Sequence, residues 1–255
     1  MIKLFARAHD LEKIEPYLNE DFVGLEITLP CAGGGNEEKA WSELAAERDL
    51  VLMGHGPNEG NPRDVEFLAE NTLPKLKLAL EEAGRLGVTI LTIHFNLDSR
   101  WLPPETVAGK IELLKQVAGW GSDAGVRVNI ENLSEAAKDL ETALVQVPDL
   151  GLTLDTGHAM LTHPASTAPG IVKQLSEYIT HLHLHDNHGT DGVKGDLHLI
   201  PGDGKVDFTG LFTLLKEKGY DKSATLELAP PEMAKGCQRV INYWLEAPGI
   251  NEKDV

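Results

Sequence analysis

Cysteine is scarce: Cys31 and Cys237 stand alone in 255 residues, far apart and without metal-ligand spacing. That excludes a disulfide framework and a cysteine-built zinc site, and it fits a reducing compartment. Long apolar runs are missing as well, so no stretch reaches the length of a membrane span. The opening segment Met1–Phe5 lacks the build of a secretory leader. Together these features lead us to expect a soluble cytoplasmic protein with no membrane partner. Positive charge is also short: 23 Lys and Arg against 40 Asp and Glu leave a formal net charge of -17. Generic nucleic-acid binding needs a basic face, because phosphate neutralisation supplies most of that affinity, so nucleic acid is not an expected partner. Aromatic residues make up only 5% of the chain and hydrophobic residues 42%, which calls for an aliphatic core.

What is present is a regular alternation. Short apolar runs at Ile2–Ala6, Val23–Thr28, Leu50–Gly54, Val88–Ile93, Val126–Glu131, Gly151–Asp155, His181–His185 and Ala224–Leu228 read as strands. Helical patterns follow them near Leu11–Leu18, Glu37–Ala46, Arg63–Arg85, Pro104–Ala124, Glu135–Val145, Ala168–Tyr178, Phe208–Lys218 and Glu232–Leu245. Strands that alternate with helices pair in parallel, and this many repeats fit closure into a single (β/α)8 TIM barrel. A doubly wound open sheet is the alternative with the same local pattern. No linker divides the chain, so one domain over residues 1–255 is expected. The sequence leaves the oligomeric state open, a homo-oligomer included.

Several strands are two-faced. Leu152 and Leu154 lie opposite Thr153 and Asp155, and Leu182 and Leu184 lie opposite His181, His183 and His185. Thr225 and Glu227 oppose Leu226 and Leu228, and Gly24 and Glu26 oppose Leu25 and Ile27. In a barrel the leucine side packs against the helices, so the polar side must face inward. The inward residue nearest each C-terminal strand end is then Glu26, His55, His94, Glu131, Asp155, His183 or His185, and Glu227, on the face where barrel active sites lie. Imidazoles and carboxylates together suit a divalent cation such as Zn, Mn, Fe or Co, and buried polar groups need partners.

Asp155-Thr156-Gly157-His158 adds a His just past a strand-end carboxylate, although Asp155 as a helix N-cap explains the tetrapeptide equally well. Asp196-Leu197-His198 can present two ligands to one ion. The alternative to a cation beside Glu131 and Glu227 is an Arg or Lys inside the barrel, with Arg127 as the candidate on the same strand face as Glu131. Pro201-Gly202-Asp203-Gly204 reads as a plain turn rather than a phosphate loop. Arg7, Arg63, Arg100 and Lys194 lie in or near loops on the strand C-terminal side, where they could anchor a substrate anion. Glu26 reads either as a support behind the ligands or as a hydrogen-bond partner of substrate, and His185 is a candidate for a hydrogen bond to substrate.

As a set, Ile130-Glu131-Asn132, Asp155-Thr156-Gly157-His158, His183-Leu184-His185-Asp186, Asp196-Leu197-His198 with Pro201-Gly202-Asp203-Gly204, and Leu226-Glu227 resemble the xylose isomerase-like TIM barrels. That superfamily contains sugar isomerases and epimerases and the endonuclease IV nucleases. The isomerase branch implies one divalent metal (Zn or Mn first, with Mg, Co or Fe as options) on Glu131, Asp155, His183 and Glu227. In that branch the two glutamates also form the acid–base pair acting on a small sugar or sugar-like, sometimes phosphorylated, substrate. The endonuclease IV branch implies up to three zinc ions on His55, His94, Glu131, Asp155, His158, His183, Asp196, His198 and Glu227, and phosphodiester hydrolysis. Two features depart from a nuclease. The net charge is -17, and the loop from Asn187 to Gly195 carries one Lys and no Arg, so a small phosphodiester suits that branch better than duplex DNA. A non-catalytic metal- or ligand-binding barrel is the remaining class.

Overall fold

The computed structural model of the chain describes residues 2–18, 21–189 and 192–249. Eight strands pair in sequence order into a closed barrel: β1 (Lys3–Ala8), β2 (Phe22–Thr28), β3 (Val51–His55), β4 (Ile90–His94), β5 (Arg127–Glu131), β6 (Gly151–Asp155), β7 (Ile179–Leu184) and β8 (Ser223–Leu226). Every neighbouring pair is parallel, β8 against β1 included. The barrel therefore replaces the doubly wound alternative. The α-helices are α1 (Gly35–Arg48), α2 (Val65–Phe67), α3 (Leu73–Arg85), α4 (Pro104–Ala124), α5 (Ala137–Gln146), α6 (Ala168–Leu175), α7 (Phe208–Glu217) and α8 (Met233–Glu246). Among the described residues no helix is long and apolar enough to cross a membrane.

Local chemistry explains the boundaries. Helix α4 starts on Pro104, whose missing N–H costs nothing at that position, and stops at Gly125, which takes a left-handed φ of 72°. Two expectations needed correction. The pattern at Leu11–Leu18 forms no α-helix but two 3₁₀ turns, Leu11–Lys13 and Glu15–Tyr17. Pro16 has no N–H with which to continue an α-helical ladder. The stretch expected as one helix over Arg63–Arg85 is broken by a π-turn at Leu68–Thr72 between α2 and α3. Pro74 cannot donate to the carbonyl four residues back, and the Leu73 N–H bonds the Leu68 carbonyl instead.

Packing follows the two-faced strands. Leu25, Ile27, Leu152, Leu154, Leu182, Leu184 and Leu226 are each fully buried between sheet and helices. The inward side is polar and pairs with itself. In its lower part, Thr92 shares a 2.8 Å hydrogen bond with Thr153, and Asn129 donates to Thr153 at 3.0 Å. His181 bonds Ser223 through Nδ1 at 2.8 Å and Thr225 through Nε2 at 2.7 Å. The register then sets ligand-type residues side by side at the top: His94 lies opposite Glu131, and Asp155 opposite His183.

Candidate functional site

Above His181 the bookkeeping changes. The buried side-chain nitrogens and oxygens without a hydrogen-bond partner, among the described residues, are Glu26 Oε1, both oxygens of Glu131, and Nδ1 of His158, His183 and His185. All belong to one cluster at the C-terminal mouth. Orphaned buried polar groups are rare and costly. Here they converge.

Nδ1 of His183 lies 3.3 Å from Glu131, 3.4 Å from Glu227 and 3.8 Å from Asp155. Glu131 Oε2 also meets His55 Nε2 at 3.5 Å and His94 Nε2 at 3.3 Å, while its Oε1 lies 2.8 Å from His158 Nδ1. Asp196 Oδ2 lies 3.3 Å from both His158 Nε2 and His198 Nε2. His185 turns Nε2 to Asp155 at 3.0 Å and stacks on His198 with ring centroids 3.9 Å apart. A Cβ at Gly157 would run into the His185 ring, so glycine at that position is what lets the ring lie there. The donors fall into overlapping sets within ligating distance of one another: His55–His94–Glu131, Glu131–Asp155–His183, Glu26–His55–His183–Glu227, Asp155–His185–Glu227, and His158–His185–Asp196–His198.

Outer hydrogen bonds fix the imidazoles. His55 Nδ1 bonds the Gly56 carbonyl at 3.1 Å, His198 Nδ1 the Glu227 carbonyl at 2.9 Å, and His183 Nε2 the Glu26 carboxylate at 3.1 Å. With the outer nitrogen donating, the inner nitrogen keeps its lone pair for the centre, as metal-ligating histidines do. His198 also holds a left-handed φ of 47°, a conformation uncommon outside glycine.

The charges agree. Burial opposes protonation of His183, but the carboxylates of Glu26, Glu227 and Glu131 outweigh it and hold its pKa well above the ordinary value. His158 is raised in the same way by Asp155, Asp196 and Glu131 against burial. Burial works to raise the carboxyl pKa of Glu131, yet His183, His94 and His158 hold it well below the carboxylate range. Without a cation the cluster balances its carboxylates with imidazolium protons, which stand where a metal ion's charge would. Among the described residues the ion-pair partners of Glu131 and Asp155 are all histidines. The donor set therefore fits a divalent cation.

The Arg127 alternative is corrected. Arg127 is exposed at the opposite end of its strand and lines a cavity at the barrel floor with Lys3 and Lys222. The arginine near the carboxylates is Arg7, 3.7 Å from Glu227 and 4.0 Å from Glu26, pinned by bonds to the Glu26 carbonyl and Thr28 Oγ1.

A cavity of about 560 Å³ opens over the cluster. Arg7, His55, His94, His158, Asp196, His198 and Glu227 reach its wall. Glu131, Asp155 and His183 lie beneath them, at most 1% exposed. Glu26 and His185 are buried among the donors rather than on the wall. Arg100 is ion-paired with Asp98 and bonded to Thr162 and Ser134, bracing the loops after β4, β5 and β6. Lys194 is exposed in the short turn Gly192–Gly195, and neither it nor Arg63 lines the cavity. His9, Tyr17, Thr28 and Asn58 are wall residues that the sequence did not announce. Strand β1 runs to Ala8, two residues beyond the expected end; with the longer strand, His9 would have followed Arg7 on the inward side. The glycine-rich turn is indeed no phosphate loop. Its N–H groups at Gly202 and Gly204, with those of Val206 and Asn187, already donate to the buried Asp186 carboxylate.

The chain belongs to the xylose isomerase-like TIM barrel family, whose model matches residues 9–244. It is similar to fructoselysine 3-epimerase of Shigella flexneri, at 25% identity over 210 residues, covering 77% of this chain and 74% of that protein. It is also similar to inosose dehydratase of Erwinia tasmaniensis, at 28% identity over 219 residues, covering 78% and 68%. The crystal structure of a D-tagatose 3-epimerase-like protein superposes with a TM-score of 0.81 at 22% identity over 100% of both chains, a likeness of fold.

Proposed function

We propose that this chain is a divalent-metal-dependent isomerase or epimerase of a small sugar or sugar-like polyol, acting as one catalytic domain. The observation that carries the reading is the convergence of Glu131, Asp155 and Glu227 on the unpartnered Nδ1 of His183 beneath an open cavity. The fructoselysine 3-epimerase among its relatives supports the epimerase reading, and the inosose dehydratase supports a polyol-like keto substrate. These four side chains would hold the cation, with Zn or Mn the leading choices. When bound, it supplies Lewis-acid polarisation of a substrate carbonyl and its neighbouring hydroxyl. Glu227, on the cavity wall, and Glu131 would form the acid–base pair: one, as carboxylate, takes the proton from the carbon beside the carbonyl, and the other, once protonated, returns one. Arg7, fixed by its backbone and Thr28 bonds, offers a positive edge for substrate hydroxyl or phosphate oxygens. The test is proton exchange: metal-loaded protein incubated with a panel of ketoses in heavy water. Deuterium uptake at a carbon-bound position supports the reading. Its absence across ketoses and inososes sinks it.

A second reading rests on a different observation. Glu131 is covered by His55, His94 and His158, with an imidazole nitrogen near each oxygen, and further donors gather around Asp196. A bridging carboxylate between neighbouring ions fits that setting, and two or three ions suit hydrolysis of a small phosphodiester. One ion per chain with deuterium exchange selects the first reading. Two or three ions with cleavage of bis-(4-nitrophenyl) phosphate select the second.

A further inference from the structure

Away from the ligands, one buried ion pair stands out. Lys110 of α4 is fully buried, and its Nζ donates to Glu59, itself 6% exposed. Nothing in the chemistry described so far uses either residue. Both halves of the pair point to the same place. Glu59 sits in the loop that leaves β3, four residues after His55, and its second oxygen accepts the backbone N–H of Asn96, two residues after His94, at 3.0 Å. The Glu59 carbonyl takes the Thr72 hydroxyl at 2.7 Å, and Lys110 reaches the Pro62 carbonyl of the same loop at 3.3 Å. Lys110 also lies 4.7 Å from the ring centre of Phe95, the residue between His94 and Asn96. One carboxylate thus ties the segment after His55 to the segment after His94.

The two imidazoles stand edge to face with centroids 5.0 Å apart, and both aim Nε2 at the same Glu131 oxygen. Their loops are otherwise joined across β3 and β4 by a short register of two residue pairs, Gly54 with Leu91 and His55 with Thr92, continued by the Gly56 N–H on the Thr92 carbonyl. That seam ends below His94. A buried ion pair is a weak source of net stability, since desolvation cancels much of the attraction. Its specific effect is geometric.

We propose that Glu59 and Lys110 are a positioning pair that sets the His55–His94 spacing and so tunes cation binding at the Glu131 edge of the centre. The proposal rests on the metal reading of that centre but not on which reaction it performs.

Two double variants separate positioning from bulk stability. Glu59→Leu with Lys110→Met removes the charges and the tie to Asn96. Glu59→Gln with Lys110→Met removes the charges but keeps an oxygen acceptor for the Asn96 N–H. Zinc titration of metal-free protein by calorimetry is read beside thermal melts of the same metal-free samples. The Leu/Met form should bind zinc about 10–100-fold more weakly at the His55–His94 edge, the usual effect of losing a group that orients a ligand. The Gln/Met form should recover most of that loss. In a His94→Ala background the Leu/Met pair should change zinc affinity no further, although any effect on melting persists. Unchanged zinc binding in the folded Leu/Met form overturns the proposal. Equal losses in both double variants, or a further loss in the His94→Ala background, do the same and leave only a structural role. Failure of the wild-type protein to bind zinc at all would instead overturn the metal reading.

Discussion

His181 and His183 sit two residues apart on β7, both fully buried and both facing the barrel interior. They differ only in what surrounds them. His181 has a hydroxyl on each nitrogen, Ser223 and Thr225, and burial keeps its pKa below the ordinary value despite the nearby Glu26. His183 has Glu26 on one nitrogen and, on the other, three carboxylates with no aligned bond. The first is a satisfied interior residue, and the second is the one that the proposed reading makes a cation ligand. Burial and residue type cannot tell them apart; the hydrogen-bond account of each nitrogen can.

The largest expected effect comes from erasing the upper member of the pair. His183→Ala should lower metal-dependent turnover by more than about 100-fold, beyond the usual loss for a residue that only orients a ligand. The protein should still fold, and metal analysis should find the cation content reduced. His181→Ala should do the reverse. Metal content stays, while stability falls by about 2–4 kcal/mol from the unpartnered Ser223 hydroxyl and the cavity, measured by urea unfolding of metal-free protein. A His181 variant that loses metal would break the comparison.

Metal addition sharpens it. Zinc at 100 times its Kd should stabilise the wild-type and His181→Ala proteins alike by about 2.7 kcal/mol per site, and His183→Ala by much less, read as a shift in Tm.

A pH effect follows from the rim. Burial works against charging His198, but Asp196, Glu227 and Asp155 raise it from 6.5 to about 9. In metal-free protein its ion pairing contributes stability fully present below about 6.5 and lost as pH rises through about 9. In the multi-ion reading His198 is a ligand and must lose that proton, so zinc affinity should climb with pH towards 9, with protons released; in the single-ion reading it should not follow His198. Calorimetry in buffers of different ionisation enthalpy measures the release. The smallest effect is that of Arg127→Ala at the barrel floor, which should move neither metal content nor stability by more than about 0.5 kcal/mol.

The alternation of leucines with His, Asp and Glu made the barrel and the ring of donors legible from the chain alone. Period-two patterning records which side faces the core, and parallel register then fixes which strand ends meet. The sequence left Glu26 open between supporting a ligand and meeting the substrate, and the depth of His185 was not legible. Alternation puts them on the inward face but says nothing of depth, and both lie buried, off the cavity wall. Arg127 misled for the same reason, being on the right face at the wrong end of the strand. His9 was lost to a strand boundary. Glu59 and Lys110 are 51 residues apart, and no local pattern links them.

The span between donors also has a kinetic meaning. Thr225 reaches Glu26 across 199 residues of chain, and His183 reaches it across 157. Contacts that distant form late, after loop-closure entropy has been overcome. An unclosed run of β5 to β8 can already set Glu131, Asp155 and His183 side by side, but it lacks the Glu26 carboxylate of β2. Metal capture during refolding would therefore mark the assembly of β5 to β8, and the gain of the outer Glu26–His183 bond would mark the later moment the last strand meets the first.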